Sequence, residues 1–342
     1  MQERSWRTIT LACFVIIMVG GTLANARLWQ VKTRGEDVYY AWVEGQRLIK
    51  GENPYARVLT GNLRDNDKYA TYFPMFYYAS TAAIIAGLNE YEDWVGFWRI
   101  LFLLANLSIA AILFYLPFRR KIWALALFAA SFWLFNRWTL HVTRIVHLDF
   151  VAILPLLASL ALFSRRRYAA LLLLSLSIGI KQIGLFLIPL YLIWIWQEAN
   201  QDKRTRTLIA TALIASIPLI SSLPFLIWDP KALFLSVIFD ALRNPADHFD
   251  AASVDAMIGW VGLPAKIPML VLMCLAFVLT WQRRIGKWTA VLLVMAAFVD
   301  FSSVLFRQYF TWLVPFIPLA ALDLLRLDPP KTLADTTNAE AP

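Results

Sequence analysis

Residues 97–121 read FWRILFLLANLSIAAILFYLPFRRK, an apolar segment from 97 to 117 closed by the basic triplet Arg119-Arg120-Lys121. A helix needs about 20 mostly apolar residues to cross about 30 Å of hydrocarbon. The segment has that length, and its basic flank is the kind that stays on the cytoplasmic side. Further apolar segments occupy 72–88, 122–136, 148–163, 169–180, 183–196, 207–227, 264–281, 288–306 and 309–325, after an N-terminal run that ends near Leu23. Of the 342 residues 60% are hydrophobic and 16% charged, with a mean hydropathy of +0.59. Soluble domains carry about a quarter charged residues, so a water-soluble enzyme is excluded. The expected fold is an all-α polytopic membrane protein of about ten transmembrane helices.

The net charge of +9 does not point to nucleic acid, because the basic residues sit in short clusters between apolar segments. Cys13 and Cys274 both lie inside apolar runs, so neither a disulfide framework nor a zinc site can be read from them. The N-terminal run follows Arg4 and Arg7, and Ala24-Asn25-Ala26 has the small-x-small form of a signal-peptide cleavage site. An uncleaved anchor is the preferred reading, and either way the chain after Ala26 is delivered outside.

Two threadings are open. Placing Arg119 to Lys121, Arg165 to Arg167, Lys203 to Arg206 and Arg283 to Lys287 all in the cytoplasm requires that 72–88 dip into the outer leaflet without crossing. It also requires 169–196 to be a tight hairpin with Lys181 and Gln182 at its outer tip. The alternative lets 72–88 cross and reads 169–196 as one long span, which moves Arg119 to Lys121 and Arg165 to Arg167 outside. The first is preferred, and it puts Arg137 to Asp149 on the same side as the first loop. Residues 1–327 then form a single transmembrane domain with outer loops at 27–70 and 229–267, followed by a disordered cytoplasmic tail, 328–342. Both termini are cytoplasmic, in the plasma membrane if the cell is prokaryotic.

The first outer loop is too long for a connector and too aromatic for a disordered linker. Val38, Tyr39, Trp42, Val43 and Ile49 recur near helical spacing, with Glu44, Arg47 and Lys50 on other faces. That pattern suggests an interfacial helix, stopped at Gly51-Glu52-Asn53-Pro54-Tyr55. The second outer loop carries Asp229, Asp240, Arg243, Asp247, His248, Asp250 and Asp255. No P-loop, dinucleotide fingerprint, zinc-protease helix or nucleophile elbow occurs in the chain.

The loop motifs Gly35-Glu36-Asp37-Val38-Tyr39-Tyr40, Gly51-Glu52-Asn53-Pro54-Tyr55 and Tyr72-Phe73-Pro74 resemble those of GT-C class membrane glycosyltransferases. The likeness is greatest to the family 87 polyprenyl-phosphate-mannose-type transferases. Phe135-Asn136 with His147-Leu148-Asp149, Gly179-Ile180-Lys181 followed by Pro189, and Arg307-Gln308-Tyr309 with Pro315 resemble later motifs of that family in the same order, over about residues 30 to 320. Many relatives open the loop with Asp-x-Asp, where this chain keeps only the second acid. One carboxylate makes a poorer divalent-cation site than two, so a metal, if one binds, falls to Glu36 and Asp37. No other cofactor is indicated.

The resemblance implies transfer of a sugar, a hexose such as mannose, from a polyprenyl-phosphate donor to a glycan or glycolipid acceptor on the outer face. Asp37 would be the general base and the anomeric carbon would invert. Asp37 also suits the N-terminus of the interfacial helix. Lys181, Arg307 and Arg144, charged residues at the ends of apolar runs, are candidate ligands of the donor phosphate, although snorkelling would also account for Lys181 and Arg307. Tyr40, Asn53, Tyr55, His147 and Asp149 are the candidates for holding sugar or acceptor. Two other classes fit the same composition: a transporter or flippase of a lipid-linked or hydrophobic anionic solute using Lys181 and Arg307, and a non-catalytic scaffold subunit of an envelope-assembly complex.

Overall fold

The computed structural model describes residues 2–29, 32–34, 36–60, 70–199, 201–237, 253–260, 262–302 and 305–327. All regular structure among them is helical. In chain order the helices are α1 (Gln2–Leu28), α2 (Asp37–Ile49), α3 (Met75–Ile85), α4 (Tyr91–Phe118), α5 (Trp123–Phe135), α6 (Arg137–Ile145), α7 (Asp149–Leu162), α8 (Arg167–Ile180), α9 (Ile188–Glu198), α10 (Lys203–Trp228), α11 (Pro230–Val237), α12 (Val254–Met257), α13 (Ile267–Trp281), α14 (Lys287–Asp300) and α15 (Phe316–Leu327). Single 3-10 turns at Gln182–Leu187 and Arg307–Trp312 lead into α9 and α15. The disordered tail expected at 328–342, and Asp240 to Asp250 of the second outer loop, lie outside the described residues.

Among the described residues, five helical stretches are long and apolar enough to cross a bilayer: Glu3–Leu28, Tyr91–Phe118, Lys203–Trp228, Leu263–Trp281 and Arg307–Leu325. Shorter apolar helices stand among them, including Trp123–Phe135, Asp149–Leu162 and Arg167–Ile180. At 1.5 Å per residue a 14-residue helix is about 21 Å long, against about 40 Å for α4 or α10. The short helices form the centre of the bundle: Ile153, Leu156, Leu157 and Leu160 of α7 and Ala170, Leu171 and Leu174 of α8 are buried. α1, by contrast, leaves Val15, Ile16, Val19 and Leu23 exposed, as a lipid-facing helix would.

The bundle has two poles. At one, Lys121 Nζ lies 2.7 Å from Glu3, Lys287 Nζ donates to the Leu160 carbonyl at 2.7 Å, and Gln197 Nε2 donates to the Trp281 carbonyl at 2.7 Å. Arg167 pairs with Glu198 there, and Asp323 accepts from the Trp288 amide at 2.7 Å. All four basic clusters therefore gather at one end. The opposite pole holds the ends of α1, α5, α8, α10 and α14, the start of α7, and the helices α2, α3, α6 and α11.

These contacts show where the chain reverses. The chain reverses at Lys181, because Arg167 at the start of α8 meets Glu198 at the end of α9, and Tyr191 hydrogen bonds Ser159 beside Ala170. One continuous span over 169–196 does not fit. α3 enters and leaves at the same pole: Met75 abuts Gly179, and after Gly87 (φ +107°) Tyr91 hydrogen bonds Thr33 at 2.6 Å. A side chain at Gly179 would collide with Ile217 and Met75, so glycine here is what lets α3 and α10 close on the tip of α8.

α1 runs unbroken through Ala24-Asn25-Ala26, and Phe14 stacks on Phe114 of α4 at 3.9 Å. Asn25 is 1% exposed. Its Oδ1 accepts from Asn106 Nδ2 (3.1 Å) and Thr143 Oγ1 (2.7 Å), while Asn106 Oδ1 accepts from Trp133 Nε1 (2.6 Å). The small-x-small sequence is thus part of a buried joint between α1, α4, α5 and α6. The helix expected from Val38 to Ile49 is α2, ended by Gly51 in the left-handed region (φ +73°). Glu44, assigned to another face of that helix, is in fact buried, because Arg57 and Arg47 fold over it.

Candidate active site

Four chain segments deliver charged groups to one point at the pole opposite the basic clusters. Asp37 stands in the first turn of α2, where the helix dipole favours an acid. Asp149 opens α7 in the same way. His147 lies between α6 and α7. Asn136 caps α6, its Oδ1 accepting from the Trp138 and Thr139 amides (2.9 and 3.0 Å), and the helix ends at Val146 with φ +51°. A β-branched residue in that region is strained, and such strain gathers at functional positions. Lys181 is presented where α8 breaks into extended backbone.

His147 is the centre of the cluster. Its Nε2 bonds Asp37 Oδ2 and its Nδ1 lies against Asp149 Oδ2. Asp149 Oδ1 accepts from Lys181 Nζ at 2.7 Å and from Trp312 Nε1 at 2.6 Å. Two carboxylates facing the two ring nitrogens favour the charged imidazolium, with Nε2 hydrogen bonded to Asp37 and Nδ1 ion-paired with Asp149 Oδ2. Burial and the Lys181 ammonium pull the His147 pKa down. Asp149 and Asp37 push it up and prevail, leaving it above the ordinary imidazole value. Two anions and two cations thus balance in a buried site, a requirement for charges removed from water. Asp149, His147 and Lys181 are at most 3% exposed, whereas the Asp37 side chain keeps 24% of its surface. Asp37 is the open edge of the cluster.

Arg144 and Arg307 lie beside this cluster and are exposed. Trp138 of α6 stacks on Phe310 at 4.7 Å, which fastens α6 to the turn that begins with Arg307. Between the arginines, His141 has its pKa lowered by burial and then by Arg307, Arg144, His147 and Arg137. That ordering places three guanidinium groups around one ring. Among the described residues Arg144 and Arg307 have no ion-pair partner.

Asn53 and Tyr55 are buried in the turn after α2. Asn53 Oδ1 accepts from the Tyr55 amide (3.0 Å), and Tyr55 donates to the Tyr72 carbonyl (2.8 Å) and packs on Phe225. Tyr55 thereby positions Tyr72, whose ring lies 5.1 Å from Lys181 Nζ. Tyr40 is half-buried on α2, edge-on to Tyr39. Glu36 precedes α2 and makes no capping bond with its side chain. Among the described residues no three His, Cys, Asp or Glu side chains converge as a metal-binding group. Asp37 turns toward His147 rather than pairing with Glu36.

Trp312 and Gln182 were not named as site residues. Trp312 is one of 15 tryptophans in an aromatic-rich chain, so its spacing carries no signal. Gln182 Nε2 donates to the Thr71 carbonyl at 2.8 Å and ties the tip of α8 to the first loop. No protein-family model matches the chain, and no curated protein sequence matches it.

Proposed function

We propose that this protein is an integral-membrane glycosyltransferase of GT-C type, moving a hexose from a polyprenyl-phosphate donor to a lipid-linked or glycan acceptor at the outer face. The observation that carries the reading is the convergence of Asp37, the His147–Asp149 pair and Lys181, from three separate parts of the sequence. They meet at the pole opposite all four basic clusters. By the positive-inside rule the basic pole is cytoplasmic, and the cluster is external. In this reading α1, α4, α5, α7, α8, α9, α10, α13, α14 and α15 are the ten crossings, while α2, α3, α6 and α11 are interfacial.

The short central helices matter to the chemistry. Starting from the cytoplasmic side, a helix of about 21 Å stops short of the far edge of a 30 Å hydrocarbon layer by about 10 Å. Asp149 and Lys181 then lie in a recess below the outer surface, at a depth that the phosphate of a membrane-held lipid can reach.

Within that recess the Asp37 oxygen not engaged by His147 takes the proton of the acceptor hydroxyl. The hydroxyl oxygen bonds to the anomeric carbon, the carbon–oxygen bond to phosphate breaks, and its electron pair leaves on the polyprenyl phosphate. Attack from the face opposite the phosphate inverts the carbon. The guanidinium groups of Arg144 and Arg307 stabilise the negative charge that grows on the departing phosphate. A transporter built on Lys181 and Arg307 is less well supported, since Lys181 is enclosed by Asp149, Tyr72 and Trp312. The test is transfer of labelled sugar from a panel of polyprenyl-phosphate sugars by purified protein, with and without a chelator. Labelled glycan or glycolipid is expected from at least one donor. Movement of label across a vesicle without product would support the transporter instead.

A further inference from the structure

Lys181 is 3% exposed, and its ammonium is surrounded by protein groups. Nζ lies 2.7 Å from Asp149 Oδ1 and 3.4 Å from His147 Nδ1, with the rings of Tyr72 and Trp312 at 5.1 and 5.0 Å. A ligand of a departing phosphate must present a face to it. Arg144 and Arg307 are exposed and able to do so, whereas Lys181 is enclosed.

We infer that Lys181 and Asp149 form one positioning unit, which orients His147 and through it Asp37, and that Lys181 does not bind the donor phosphate. The inference rests on the reading of Asp37 as the base. Lys181 and Trp312 both donate to Asp149 Oδ1, which leaves Oδ2 to His147 and stops the carboxylate from rotating. The imidazole is then fixed with Nε2 toward Asp37 Oδ2. Lys181 also completes the charge balance. Without it, the buried Asp149 and the partly exposed Asp37 would share a single imidazolium.

The unit predicts a specific pattern in the purified full-length chain. Lys181→Met lowers kcat by about 100-fold and leaves the donor KM within about twofold, because a residue that never touches the phosphate does not change its binding. Asp149→Asn behaves alike. The double variant Asp149→Asn/Lys181→Met, in which no buried charge is orphaned, recovers about tenfold over either single variant, a coupling expected only of contacting partners. It also serves where a single variant fails to fold. A tenfold rise in donor KM for Lys181→Met with kcat unchanged would overturn the inference, as would additive losses in the double variant.

A second readout does not depend on transfer. The chain has three histidines, and the ring nitrogen-15 resonances of His147, assigned by loss in His147→Asn, report both nitrogens directly. Two protonated nitrogens are expected in the wild type at neutral pH, with Lys181→Met and Asp149→Asn each displacing the signals. Signals unmoved by either substitution would refute the unit. If the wild type transfers nothing from any donor while its His147 signals respond as described, the proposed function fails and the geometry of the unit stands.

Discussion

Two polar clusters lie side by side at the pole opposite the basic clusters, joined by the short stretch from Thr143 to His147. In the first, Asn25, Asn106, Trp133 and Thr143 link α1, α4, α5 and α6 through neutral hydrogen bonds. In the second, Asp37, His147, Asp149 and Lys181 link α2, α7 and α8 through charges. The neutral cluster is closed, since both asparagines are at most 1% exposed. The charged one opens at Asp37. A neutral network costs little to desolvate and locks helices together. Buried ionic groups cost several kcal/mol each in desolvation and are a poor source of stability. The two clusters therefore differ in what they can do: the neutral one locks helices together, and under the proposed function the charged one holds the reacting groups at a set geometry.

Substitutions can break that division. The largest effect is expected from His147→Ala, which releases Asp37: transfer should fall by about 100-fold or more, in the range of acid–base contributions. Lys181 and Trp312 still satisfy Asp149 in this variant, so the melting temperature should drop less than in Asn106→Leu. That second substitution leaves Trp133 Nε1 with only the residue 106 carbonyl (3.1 Å) and removes a partner of Asn25, and should cost about 1–3 kcal/mol of stability. Transfer per folded molecule should remain within about twofold of wild type. Equal losses of transfer in the two variants would erase the distinction.

Arg307→Gln tests the rim of the charged cluster. It should raise the donor KM by about tenfold, about 1.4 kcal/mol of binding, without moving the melting temperature. The smallest effect is one of pH. Because the folded-state pKa of His147 lies above its unfolded value, its stabilising contribution is complete below about pH 6.5 and is lost as pH rises through the folded value. The wild-type melting temperature should therefore decline from neutral to alkaline pH. The slope should flatten in His147→Ala and persist in Asn106→Leu.

Much of this arrangement was legible in the sequence. Apolar period and basic flanks placed the helices, and the reversal at Lys181 followed from keeping all basic clusters on one side. His147, Asp149 and Lys181 stood out as ionisable residues bordering apolar runs, and Asp37 through the resemblance of its loop motif. The roles within the group were less legible. Lys181 reads as a phosphate ligand from composition alone, and only its 2.7 Å contact with Asp149 assigns it a partner inside the protein. Asn106 was hidden in an apolar run and Asn25 in a motif resembling a cleavage site. Their pairing spans 81 positions, which no local pattern reports. Glu44 misled for the opposite reason: an acid on an amphipathic helix suggests solvent, and its burial depends on Arg57 folding over it. Burial raises the Glu44 pKa to about 7 against the opposing pull of Arg57 and Arg47, a perturbation invisible in the one-dimensional pattern.

The account turns on Asp37, and the most direct measurement compares wild type with Asp37→Asn in transfer of labelled sugar from the active polyprenyl-phosphate donor, normalised to folded protein. The amide keeps the shape of the side chain and still offers an oxygen to His147, but it cannot accept the acceptor proton. Loss of at least about 100-fold in kcat, with donor KM and melting temperature close to wild type, is the predicted result. Full transfer by Asp37→Asn would contradict the account.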